Sequence, residues 1–367
     1  MLIRKWTAIV AIAVIALAAC GGGSGGSAAP GGATATAGAA AGSCKVGVAW
    51  ATFQEERYGL RDEPGIKAAI AAGGGEYISG GDGQNKAEVQ ATQIATLIAA
   101  KINVLVLNSV DPVAVMPSLQ AALDAGIPVI AYDRELESSK VLFLTHDNVL
   151  VGHMIAEAVT KAQPTGNYAI IKGDKTQTNP TFLRQGMEEV LAPLMASGAI
   201  KIPAGAEQFT DGWKAENAQT EMEQILTANN NDIQAVLSQN DNMATGAVAA
   251  LKAQGLDKTV KIGGQDGDTF ALNRVALGTQ VVSVWKDATE LGTAAGKAAV
   301  ELCANKDISK VTGAKASKTT GGLDSFALLL NPVPITKDNL QVVLDAKWIT
   351  VDKLCKDVPT GSVKGCP

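Results

Sequence analysis

Asp133 and Arg134 stand side by side where an apolar, β-branched run, Pro128–Tyr132, stops. Such a run suits a strand covered on both faces of a parallel sheet. In open α/β sheets the carboxyl edge of the strands is where ligands bind. A carboxylate accepts hydrogen bonds and a guanidinium only donates them, so the pair fits a ligand whose hydroxyls do both. On this dipeptide alone, a solvated pair of loop charges is the plainer reading. The same arrangement recurs, however, just past other apolar runs: Arg57 and Tyr58, Asn108, Asn179, Trp213, Asn240, Asp266 and Lys286. A lone residue of this kind is commonly a helix cap, the role expected of Asp111 and Asp287. A whole series of them lining one cleft is a polar binding site.

A hydroxyl-rich ring needs a partner for each buried polar group, since an orphan costs about 1–3 kcal/mol. It also needs flat apolar surface against its C–H faces, which an indole or phenol ring supplies. Trp213, in an Asp-Gly-Trp turn, is placed to be that platform, with Tyr58 as a second aromatic. Asp266 is the acceptor with glycines about it, Gly263, Gly264 and Gly267. Asn240 both donates and accepts, and Arg57, Arg134, Arg184 and Lys286 donate. Trp50, Trp285 and Trp348 lie in strand-like runs and read as core. Asp133 with Asp266 would be a glycosidase pair by residue type. Donor-rich surroundings keep both ionised, however, whereas a general acid needs a raised pKa. No G-x-S-x-G elbow and no P-loop occurs. His146 and His153 are expected at the surface or as caps. Binding without chemistry is the expectation, with no cofactor and no metal.

The elements that must position these residues alternate strand and helix from Lys45 onward, which implies parallel sheets with right-handed crossovers. Ten or so such units exceed one doubly wound sheet, so the α/β chain is expected to form two Rossmann-like lobes. Residues 44–132 with 287–325 are assigned to one lobe, and 133–286 with 326–367 to the other. In this assignment the strand Val141–Leu144 opens the second lobe.

Before Cys44 the sequence is of another kind. Arg4 and Lys5 precede a short apolar run, Thr7–Ala19, and Leu17-Ala18-Ala19-Cys20 follows it. The run is short for a membrane span and has the flanks of an export signal. Cys20 is the expected site of lipidation, as in a bacterial lipobox. Residues 21–43 are almost wholly Gly, Ala, Ser and Thr and read as a tether from the membrane surface. Export permits disulfides. Among three possible pairings, Cys44–Cys303 with Cys355–Cys366 is preferred, because Cys44 and Cys303 should share the pole of one lobe away from the ligand edge. Free buried thiols are the alternative. A net charge of −5 in 367 residues gives no reason for a nucleic-acid partner.

Several of these motifs together resemble the type I periplasmic binding proteins of ABC sugar importers, in their xylose-binding branch. They include Glu56-Arg57-Tyr58, Val129–Arg134, Gly166-Asn167-Tyr168, Asp211-Gly212-Trp213, Leu226–Asn231, Ser238–Asp241 and Gly264-Gln265-Asp266. The likeness covers nearly all of 45–343. It implies two lobes joined by three hinge crossings that close on one pyranose. It also implies sugar contacts at Arg57, Asp133, Arg134, Asn179, Arg184, Trp213, Asn240, Asp266 and Lys286. Tyr58 takes the place of a larger aromatic, and Gln177 stands where the family often has Asp. The implied ligand is D-xylose, or else a broader range of aldoses. The implied partners are a membrane permease and its ATPase, with the receptor a monomer; a sugar sensor is the other role this fold serves.

Overall fold

The computed structural model describes residues 44–366; the expected export signal, Cys20 and the tether lie outside them. The first strands are β1 (Lys45–Trp50), β2 (Glu76–Asp82), β3 (Val104–Leu107), β4 (Val129–Tyr132) and β5 (Val141–His146). Then come β6 (Gly166–Lys172), β7 (Ile200–Lys201), β8 (Glu207–Phe209), β9 (Ala235–Ser238), β10 (Lys261–Gln265) and β11 (Val282–Trp285). The chain ends with β12 (Lys315–Lys318), β13 (Asp324–Leu330) and β14 (Val333–Ile335).

Two sheets result. The first has the order β12-β13-β5-β4-β3-β1-β2, and the second β14-β11-β10-β9-β6-β7, with β8 also on β6. Pairing is parallel except at β12–β13 and β11–β14. Every residue of β3, β4, β9 and β11 is buried, the signature of strands covered by helices on both faces. The first sheet separates two apolar clusters, one under helix Ala288–Asn305 and one under helices Ala87–Ala99 and Met116–Asp124. The second sheet has its own core, and a satellite cluster lies beneath the carboxyl-terminal tail.

The chain passes between lobes three times: after β5, after β11, and between β13 and β14. The first passage starts a helix at once, because the Asp147 side chain accepts from the Leu150 N–H at 3.0 Å. Asp287 does the same at the second, capping helix Ala288–Asn305 through Thr289 and Glu290.

These passages correct the expected lobe boundaries. Strand β5 pairs in parallel with β4, Val129 opposite Val141, and so belongs to the first lobe. So does all of β13, paired to β5 from Phe326 to Leu330. The first lobe is therefore residues 44–146 with 288–330. The residues between Tyr132 and Val141 hold no helix, which made the polar stop at Asp133 look like a change of lobe. The side chains decide it: Leu142 and Leu144 fill the same apolar cluster as Ile130 and Tyr132.

Cys44 is disulfide-bonded to Cys303, tying the start of β1 to the end of helix Ala288–Asn305. Cys355 is bonded to Cys366 within the tail.

Candidate sugar site between the lobes

The first lobe supplies a wall of charges wired to one another. Arg57 opens a π-helical turn, Tyr58–Asp62, that follows β1, and such turns are frequent at functional sites. The turn brings Asp62 back onto Arg57, whose Nε and Nη2 donate to the two carboxylate oxygens at 3.1 and 2.8 Å. Asp62 is fully buried and also accepts from the Tyr132 hydroxyl. The remaining Arg57 nitrogen, Nη1, donates to Asp133 Oδ1 at 3.4 Å, and the Tyr58 hydroxyl donates to Asp133 Oδ2 at 2.7 Å. Burial works against charge on Asp133, yet Lys286 and Arg57 hold its carboxyl well below the usual range. Arg134 is pinned by the Ser109 carbonyl at 2.8 Å.

The second lobe supplies mostly neutral groups. Trp213 is buried, and its indole N–H donates to Gln177 Oε1 at 3.0 Å. A Cβ on Gly173 would lie 2.1 Å from the Trp213 ring, so glycine at the end of β6 is what lets the indole lie against the strand. Asn240 Oδ1 accepts from the Met243 N–H at 2.8 Å as a helix cap, and the residue lines the cavity. Asn179 reaches across the cleft and donates to the Asp133 carbonyl at 3.1 Å. Lys286 Nζ lies 3.6 Å from Asp133 and 3.5 Å from Asp266, and Arg57 lies 3.6 Å from Asp266. Opposed walls are thus bridged by ion pairs.

These groups line one cavity between the lobes, partly open to solvent. Three cations, Arg57, Arg134 and Lys286, face three carboxyls, Glu55, Asp133 and Asp266. Burial first, then Asp266, raises the Glu55 carboxyl to about 7, opposed by Arg134 and Arg57. With Glu55 ionised the lining is electrically balanced, and with Glu55 protonated it carries one net positive charge. Asn179 Oδ1, Gln265 Oε1 and Asp266 Oδ1 are buried acceptors with no hydrogen-bond partner. Asp133, Trp213 and Asp266 all have positive φ, at 64°, 58° and 100°. For non-glycine residues such backbone costs energy and clusters at ligand sites.

Nine of the ten residues singled out from the sequence line this cavity: Arg57, Tyr58, Asp133, Arg134, Asn179, Trp213, Asn240, Asp266 and Lys286. Arg184 does not. It faces outward from helix Asn179–Ala196 and pairs with Glu188 and Glu207, because its place one turn and a half into the helix turns it from the cleft. The glycines beside Asp266 also act otherwise than expected. A Cβ on Gly264 would strike Asp241, and one on Gly267 would strike Trp285; they make room for packing behind the carboxylate. His146, expected at the surface, is fully buried at the first hinge passage, whereas His153 pairs with Glu189 at the surface.

Glu55, Gln177 and Gln265 complete the lining. Asp62 and Asp241 act behind it; Asp62 carries no signal in the sequence, whereas Asp241 shares a strand end with Asn240. Asp62 reads as an ordinary helix-face charge five residues past Arg57. Asp241 accepts from Gln280 at 2.8 Å and from the Gly267 and Asp268 N–H groups at 3.1 Å, fixing the turn that carries Asp266. Burial pushes the Asp241 carboxyl up to about 7.

Residues 46–307 match the model of the periplasmic binding protein domain. The D-xylose-binding periplasmic protein of Escherichia coli K12 is 35% identical over 81% of this chain and 88% of its own length. Its Haemophilus influenzae counterpart is 34% identical over 81% of this chain and 87% of its own. An ABC transporter solute-binding protein of Clostridium phytofermentans, solved with bound β-D-glucose, superposes with a TM-score of 0.76. It is 26% identical, and the match covers 84% of this chain and 99% of that one. The chain belongs to the periplasmic binding protein family and is a type I sugar-binding receptor, not an enzyme.

Proposed function

We propose that the protein captures one neutral monosaccharide, D-xylose by preference, outside the cytoplasm and delivers it to a membrane permease driven by an ATPase. The observation that carries the ligand class is a lining that mixes cations and carboxyls with two buried, unpartnered amide oxygens, of Asn179 and Gln265, beside an Asp266 carboxylate held only by long ion pairs. An anionic solute would find as many carboxyls as cations. A sugar hydroxyl donates to the free acceptors and accepts from Arg57, Arg134 and Lys286, while its C–H face lies on Trp213. The likeness to two D-xylose-binding proteins favours the pentose; the glucose-bound neighbour supports a wider aldose range as the second reading.

Capture works by closure. The lobes are linked by three short passages, and a ligand held by both walls favours the closed form by its differential affinity for it. Lipidation at Cys20 would keep the receptor at the membrane as a monomer.

A thermal-shift panel of D-xylose, D-glucose, L-arabinose, D-galactose and D-ribose tests the reading, since a ligand bound only by the native state raises its melting point. D-xylose should give the largest rise. No rise with any of the five would overturn the assignment.

A further inference from the structure

A second contact joins the lobes outside the sugar cavity. Arg61 lies on the π-helical turn of the first lobe, one helical turn beyond Arg57. Its Nη2 donates to the backbone carbonyl of Trp348 at 2.6 Å, and its guanidinium sits 4.8 Å from the centre of the Trp348 ring. Trp348 belongs to the second lobe. It packs edge-on against Trp285, with ring centres 5.5 Å apart, in the cluster beneath the tail.

Trp348 also reaches the ligand loop. Its indole N–H donates to the Gly267 carbonyl at 2.6 Å, and Gly267 follows Asp266, which lines the cavity. The tail holding Trp348 is itself fixed. Cys355 and Cys366 are disulfide-bonded, Cys366 is buried in the same cluster, and Asn273 donates to the Leu354 and Lys356 carbonyls at 2.9 Å. Lys347 takes a left-handed backbone, φ 55°, at the turn into Trp348. The second half of the contact is thus rigid before the lobes meet.

We propose that Arg61 and Trp348 form a latch that sets how long the closed form lasts, and with it the sugar release rate. The proposal rests on the capture reading above. Both parts of the contact, a charge-assisted hydrogen bond and a cation–π stack, are made across the cleft and are lost when the lobes part. A contact made only in the closed form shifts the population toward it with or without ligand. Neither residue lines the sugar cavity, so the latch changes affinity without touching specificity.

The test is stopped-flow sugar release from Arg61→Ala and Arg61→Lys, using the tightest sugar of the panel. Arg61→Ala should release sugar about tenfold faster with little change in association, as is usual for contacts made in the bound state. Its rank order of sugars should stay that of the native chain. Arg61→Lys keeps the charge but not the planar fork, and should recover only part of the effect. Amide hydrogen exchange adds a readout that a merely structural role would not move. Sugar should slow exchange at Trp348 and Ile349 in the native chain, and much less in Arg61→Ala. Release within about twofold of the native rate would overturn the latch. If no sugar in the panel binds, the capture reading fails on its own. The latch is then judged by X-ray scattering of the sugar-free proteins: a larger radius of gyration for Arg61→Ala supports it, and equal radii overturn it.

Discussion

The two walls of the cavity are built on different principles. On the first-lobe side Arg57, Asp62, Asp133, Tyr58 and Tyr132 satisfy one another through buried charge-assisted bonds. On the second-lobe side Trp213, Gln177, Asn179, Asn240 and Gln265 are neutral, Asp266 and Lys286 carry charge, and the Asn179 and Gln265 acceptor oxygens are left over. A self-satisfied ionic wall is rigid and expensive to disturb. A mostly neutral wall with spare acceptors is where more of a hydroxyl pattern is read. The difference puts most of the site's self-stabilisation in one lobe and most of its spare hydrogen-bonding capacity in the other.

The comparison breaks most visibly at Arg57. Arg57→Met leaves Asp62 buried without its cation, and removing one member of a buried pair costs about 3–5 kcal/mol. Urea unfolding should show a loss of that order; a loss under about 1 kcal/mol would mean that the ionic wall is not structural.

Trp213→Ala probes the other wall. It should weaken binding of the best sugar by about tenfold or more in calorimetry, alongside the loss of about 3–5 kcal/mol expected on truncating a buried indole. Unchanged affinity would erase the distinction between walls.

Glu55 gives a pH signature. Its folded carboxyl sits at about 7 against an ordinary 4.5, so the folded chain holds the proton more tightly than the unfolded one. Stability from this group is full below the lower value and is lost as pH rises through the upper. Glu55→Gln should match the native chain near about pH 4 and exceed it by about 3 kcal/mol near about pH 8. Equal stabilities at both pH values would show that the burial is relieved in solution.

Arg184→Ala should have the smallest effect. Its partners Glu188 and Glu207 are partly exposed, so a stability change under about 0.5 kcal/mol and unchanged sugar affinity are expected. A loss of affinity would return Arg184 to the site.

Most of the cavity was legible because strand ends in a parallel sheet all point to one edge. A polar residue placed just after an apolar run is therefore usually close to that edge, although Asn108 is spent on the Ala51 N–H and the Tyr132 carbonyl and does not line the cavity. Arg184 failed that rule, being inside a helix where only rotation decides which way a side chain faces. Asp62 escaped notice because its partner, Arg57, is brought to it by a π-helical turn that no periodicity announces.

Taken by itself, the amino-acid sequence determined the alternation of strand and helix, the two-lobed α/β class and the residues at the strand ends, since these follow from local apolar pattern and polar stops. The tertiary structure alone decided that β5 stays with the first lobe, that Asp62 and Asp241 stand behind the visible carboxylates, and that Arg61 meets Trp348. Those relations join residues that are not linked by any local repeat, and only packing and burial select which of many polar partners come together.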